Sequence, residues 1–208
     1  MARKILPMTA KRAARPDSVE EALRISAALD VRFHDLKGDA VVTSKDEAFR
    51  ELFRILEASG LEYALIGGVA VQLWSSEPRT TLDIDVTVRS YQSVPRAALE
   101  AAGFRMLARH LHSENWTGPG ETPVQFSDDP AFAFLIESAV RKSFEGGHVR
   151  IASPSALVKE KLRAASDPAR RESKRFQDLA DAKSLAEGHP EVEATLTPAE
   201  RALLKRTL

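Results

Sequence analysis

Tyr63-Ala-Leu-Ile-Gly67-Gly68-Val-Ala-Val-Gln-Leu-Trp74, followed by Arg79-Thr-Thr-Leu-Asp83-Ile-Asp85-Val-Thr-Val88, is the stretch on which the fold turns. An apolar run of strand length meets a Gly-Gly pair and continues into a second apolar run that suits a short helix. The next segment alternates apolar and acidic residues with period two. Side chains alternate faces along a strand, so Asp83 and Asp85 point one way while Leu82, Ile84 and Val86 point into the core. Two like charges side by side repel each other and call for a compensating cation or a shared proton. Paired carboxylates suit Mg²⁺ or Mn²⁺, whose coordination water and substrate phosphates normally complete. The Gly67-Gly68 turn opens a helix whose free backbone N–H groups can receive an anion.

The strings "ALIGGVAVQL" and "RTTLDIDVTV", with the spacing between them, resemble the nucleotidyltransferase superfamily. Its signature is a Gly-Gly or Gly-Ser turn, a short helix, and Asp-x-Asp on the next strand. Within it the chain is similar to the bacterial minimal-nucleotidyltransferase branch, which includes the AbiEii-like toxins of type IV toxin–antitoxin systems. The competing reading, two solvated acids on an edge strand, does not account for the Gly-Gly turn and helix in front of them.

A second block resembles the C-terminal part of the same family: "VRIASPSALVKEKLRAASDPARRESKRFQDLADAKSLAEGHP". By that resemblance Lys161 contacts a triphosphate, and Asp178 and Asp181 match an Asp-x-x-Asp pair. Arg79 is implied as a structural or phosphate-contacting arginine, against the alternative of a surface residue bracing its loop. Between Lys159 and Arg175 seven basic residues stand against three acids, a local excess that a phosphate- or RNA-facing surface needs. The opposing reading is a solvated helix face, with Asp178 pairing Lys174 at i, i+4.

Active members of the family place a third acid on a neighbouring strand. Alternation in Pro123-Val-Gln-Phe-Ser127 puts Gln125 at that position, and an amide cannot act as a general base. Three readings follow. Asp128 or Asp129 reaches the site from the strand end, although Asp129-Pro130 reads as a helix cap. Alternatively, two carboxylates work with another base, or the fold binds nucleotide with little catalysis. His110-Leu-His112 has the spacing to chelate a metal on a strand face but lacks accompanying acids, and reads as surface. Trp74 and Trp116 read as core.

Length and composition set the frame. The 208 residues suit one large domain, or a domain with a helical appendage. Thirty basic and thirty acidic residues balance, so no global attraction to polyanions is implied. With no cysteine, disulfides, thiolate zinc sites and cysteine nucleophiles are excluded. No apolar run reaches membrane-span length and no signal-peptide core follows Met1, so a cytoplasmic protein is expected.

Outside the central stretch, helices are expected over 18–30, 44–60, 93–102 and 129–144, the last closed by Gly146-Gly147. Strands are expected over 104–108, 115–117, 123–127 and 148–152, and helices over 154–166, 171–187 and 198–206. Residues 31–42 have no assignment. The fold class is α/β (α+β): a mixed sheet flanked by helices with a helical C-terminal third. The division is a basic tail (1–16), a core with N-terminal helices (17–152) and a C-terminal helical region packed on it (153–208).

The function implied by the resemblance is metal-dependent transfer of a nucleoside monophosphate from an NTP to a hydroxyl. Asp83 and Asp85 hold Mg²⁺ or Mn²⁺, and Gly67, Gly68, Arg79, Lys161 and Asp178 attend the nucleotide. The resemblance also implies a toxin–antitoxin or phage-defence setting, with RNA such as tRNA as an acceptor and a cognate antitoxin as partner. The rival is a nucleotide-binding module of the same fold, catalytically weak because of Gln125.

Overall fold

The computed structural model describes residue 16, residues 18–25, residue 28, and residues 45–75 and 81–206. Residues 1–15 of the basic tail, the 31–42 segment and Arg79 therefore lie outside the described residues.

Seven strands form one mixed sheet in the order β3-β4-β5-β2-β1-β7-β6. They are β1 (Tyr63–Ile66), β2 (Ile84–Val88), β3 (Arg105–Arg109), β4 (Glu114–Gly118), β5 (Thr122–Ser127), β6 (Val140–Phe144) and β7 (Gly147–Ile151). β1 and β2 are antiparallel, whereas β2–β5 and β1–β7 run parallel. The fully buried β1 reads as an unbroken apolar run, as a central strand must.

Helix α1 (19–25) begins at Ser18, whose Oγ accepts from Glu21 N at 3.1 Å. In α2 (Lys45–Ala58) the residues Phe49, Leu52, Phe53 and Leu56 are buried at helical spacing. Phe53 meets Tyr63 of β1, their ring centroids 5.5 Å apart, which sets α2 on the sheet face opposite Asp85. Helix α3 (Gly67–Trp74) packs on β1 and β2, and α5 (Ala133–Glu137) contacts the same two strands. The C-terminal part is α6 (Pro154–Ser166), α7 (Glu172–Gly188) and α8 (Pro198–Leu204); α6 and α7 pack closely on each other and against α3. A capping box starts α8, Thr197 Oγ1 accepting from Glu200 N and Glu200 accepting from Thr197 N. Both tryptophans are buried with their indole N–H satisfied: Trp74 donates to the Ala152 carbonyl and Trp116 to Glu114.

Three expectations are corrected. The helix expected over 129–144 stops at Glu137, and Val140–Phe144 is instead an edge strand paired with β7. Glu145 (φ 47°) and Gly146 (φ 80°) both take left-handed conformations, the pattern of a tight two-residue hairpin turn. Gly146 thus joins two strands and does not end a helix. The helix expected from Ser93 begins at Arg96 as α4 (Arg96–Ala101). Pro95 holds Val94 extended (φ −65°, ψ 126°), as the residue before a proline prefers. Finally, Leu82 is 55 % exposed, because β2 starts only at Ile84.

Candidate active site

At the end of β1 the chain turns through Gly67, whose φ of +65° is left-handed and favours glycine. The space is closed as well. A Cβ on Gly67 would lie 1.9 Å from Asp85 Oδ2 and 2.8 Å from Asp85 Cβ, so the backbone of the turn rests directly against the carboxylate. The residue before α3, Ile66, offers no side-chain cap, and the first turn of the helix carries no acid. The positive end of that helix faces the same space as Asp85.

Asp85 sits in β2, half-buried, in register with Ile66 on one side and Gln125 on the other. Asp83 precedes the strand and is exposed; its Oδ1 accepts from Thr81 Oγ1 at 2.9 Å. Buried Lys45, at the start of α2, donates to the Thr81 carbonyl at 2.6 Å, which ties the approach to β2 to the helical layer. Gly67, Gly68, Asp83, Asp85, Gln125, Lys161 and Asp178 all line one cleft of about 860 Å³.

Gln125 stands where the third acid was expected, alongside Asp85 on the parallel neighbour strand. Of the two acids at the end of β5, Asp129 lines the cleft, and its Oδ1 accepts from Ala131 N at 2.9 Å as a helix cap. Asp128 instead meets His112 Nδ1 at 3.2 Å.

The family-implied lysine is not a bare cation. Lys161 Nζ lies 2.9 Å from both Asp178 Oδ1 and Asp181 Oδ2, and Arg170 Nε reaches Asp178 Oδ2 at 2.6 Å. Asp178 therefore has both oxygens committed to cations, and its partners are Lys161 and Arg170, not Lys174. Arg163 holds Glu160 through two hydrogen bonds of 2.8 and 2.9 Å. Burial pushes the Glu160 carboxyl above its ordinary value, with Arg163 pulling in the opposite direction. Three of the seven bases read from the sequence, Lys161, Arg163 and Arg170, are thus paired with acids within this C-terminal segment. Around the cleft Lys161, Arg163, Arg170 and Lys174 face six carboxylates, those of Asp83, Asp85, Asp129, Glu160, Asp167 and Asp178.

Among the described residues no group of three or more His, Cys, Asp or Glu is placed to hold a metal ion. Asp83 and Asp85 offer hard oxygen donors to one cleft, with Gln125 in register beside Asp85. That donor set fits Mg²⁺ or Mn²⁺ completed by water and phosphate, and does not fit a cation caged by protein alone.

No family model matches the chain, and no curated protein matches it. Solved structures do. A putative nucleotidyltransferase from H. pylori superposes with a TM-score of 0.53 at 17 % identity, over 77 % of this chain and 73 % of that one. The antibiotic-resistance factor ANT(2'')-Ia gives 0.52 at 18 %, over 75 % and 92 %. The lincosamide antibiotic adenylyltransferase LnuA gives 0.51 at 15 %, over 70 % and 99 %. This chain has the nucleotidyltransferase fold. Sequence reasoning missed two residues that line the cleft. His112 was read as surface, and Glu160 was counted only as an acid in a basic block. The Asp-Asp-Pro run after β5 held a signal for the first, since one of two adjacent acids was free to meet a histidine.

Proposed function

We propose that the chain transfers a nucleoside monophosphate from an NTP to a hydroxyl acceptor, with a divalent cation held by Asp83 and Asp85. The observation that carries this reading is the contact of the Gly67 turn with Asp85, which sets a phosphate cradle and a carboxylate pair within one cleft. The structural neighbours named as nucleotidyltransferase and adenylyltransferase support the same class of chemistry.

Mg²⁺ or Mn²⁺, when bound, supplies positive charge to the triphosphate. The chain's own groups position and exclude. N–H groups at the start of α3 receive the β- and γ-phosphate oxygens, with Lys161 and Arg170 adding charge from the opposite wall. Asp83 and Asp85 anchor the cation, and Gln125 orients the α-phosphate or its cation through an amide. Catalysis on such a site is positioning and electrostatic stabilisation, with the entering oxygen and the leaving pyrophosphate in line. On the sequence resemblance we place the protein in the AbiEii-like branch, in a toxin–antitoxin or phage-defence module, with RNA such as tRNA as acceptor and an antitoxin as partner.

A second reading is favoured by one observation: the amide of Gln125 pairs in register with Asp85, leaving that position without a base. On this reading the chain is a nucleotide-binding module with weak transfer. Incubation with labelled NTPs, Mg²⁺ or Mn²⁺ and total tRNA, beside a D83A/D85A variant, separates the two. Label transfer that the variant loses supports the enzyme. Metal-dependent binding without transfer supports the module, and absence of binding contradicts both.

A further inference from the structure

Transfer to a hydroxyl needs an acceptor for its proton, and the position beside Asp85 holds a glutamine, which cannot take one. His112 stands at the tip of the β3–β4 hairpin and lines the same cleft as Asp83, Asp85 and Gln125. Two contacts fix it there. Ser127 Oγ donates to the His112 carbonyl at 2.9 Å, and His112 Nδ1 lies 3.2 Å from Asp128 Oδ1.

An ionised carboxylate only accepts hydrogen bonds, so the Nδ1 facing Asp128 carries a proton, and in the neutral imidazole Nε2 is the nitrogen left to accept one. That is the arrangement in which an acid orients an imidazole as a general base. The imidazole is 45 % exposed, so an acceptor molecule can reach it.

Position across the sheet agrees. Asp85 lies between Gly67 on the β1 side and Gln125 on the β5 side. Ser127, which anchors His112, is two residues along β5 from Gln125, about 7 Å of strand. Gly67 and Ser127, which anchors His112, therefore lie on opposite sides of β2, the arrangement that an in-line displacement needs for its leaving and entering groups.

We propose that His112, oriented by Asp128, is the general base that deprotonates the acceptor hydroxyl, a role that rests on the transfer reading above. The hydroxyl proton passes to His112 Nε2 as the acceptor oxygen bonds to the α-phosphorus. The α-phosphorus–oxygen bond to the β-phosphate breaks, pyrophosphate leaves with the electron pair, and the imidazolium later gives its proton to solvent. Asp129, the other acid near this end of β5, suits the task less well. Its Oδ1 is already engaged as a cap, accepting from Ala131 N.

The test uses the full chain with labelled NTP, Mg²⁺ and total tRNA, and measures initial transfer rates alongside NTP affinity for the wild type, H112Q, H112A, D128N and D129N. The expected result is a transfer loss of about 10²–10⁴-fold in H112Q with NTP affinity retained. D128N shows a smaller loss, and added imidazole partly restores H112A. Retained affinity shows that the variants are folded. Wild-type transfer rates in both His112 variants, or a loss confined to D129N, overturn the assignment while leaving the transfer reading intact. A wild type that binds NTP and transfers no label overturns the transfer reading, and this assignment with it.

Discussion

Gly67 and Asp85 constrain each other. The left-handed φ of Gly67 would cost an alanine about 1–2 kcal/mol, before the contact of its Cβ with the Asp85 carboxylate is counted. G67A should therefore lower unfolding stability in urea by at least that strain and weaken NTP binding. Unchanged stability would show that the turn has room to relax. Glu160 yields a prediction in pH. Its folded-state carboxyl is raised above the ordinary 4.5 by burial, with Arg163 opposing. For a raised group the stabilising contribution is complete below the unfolded value and is lost as pH rises through the folded one. The thermal midpoint of E160Q relative to wild type should accordingly improve as pH increases from about 4 towards neutrality. A difference that stays flat across that range would contradict the shift. Among these residues the Gly-Gly turn and Asp83/Asp85 were legible, because an apolar run broken by glycines and then by alternating acids has few other uses. The Gly67–Asp85 contact was not legible, since it depends on β1–β2 register.

Between elements, α6 and α7 are held together by the Lys161–Asp178–Asp181 cluster with Arg170 at its edge. Lys161 and Asp178 are both buried, and removal of one member leaves an uncompensated charge out of water. K161A should cost about 3–5 kcal/mol by denaturant titration. The doubly neutral exchange K161M/D178N should cost less than the sum of its single changes. Additive costs would indicate that the two groups do not pair. The helices over 154–166 and 171–187 were readable from local pattern, but their ion pairs were not, because a partner 17 positions away lies beyond any local spacing rule. Local pattern also misled at β6. Val140-Arg-Lys-Ser-Phe144 follows a genuine helix without a break, and its strand character comes from pairing with β7 across the Glu145-Gly146 turn. The short α4 is the reverse case, where Pro95 was a visible stop that outweighs the apolar spacing around it.

Across the whole molecule, charge balance conceals local bias. The chain is neutral, and the basic block of 159–175 contributes Lys161, Arg163, Arg170 and Lys174 to the cleft, yet the cleft walls carry more carboxylates than cations. A triphosphate entering such a cleft meets the α3 N-terminus and a small number of committed cations, so its binding must draw on positive charge from solution. This scale holds what the sequence could not show: which charges meet, and that the β3–β4 hairpin tip brings His112 over the strand end beside Asp128. Among the described residues no helix is long and apolar enough to cross a membrane. The most direct test of the account is calorimetric titration of the full chain with a non-hydrolysable NTP analogue, in Mg²⁺ and in excess chelator, for wild type and D83A/D85A. Binding to wild type that Mg²⁺ strengthens at least tenfold, and that the double variant loses, is the predicted result. Equal binding with and without the cation, or equal binding by the variant, would contradict a metal–phosphate site at Gly67, Asp83 and Asp85.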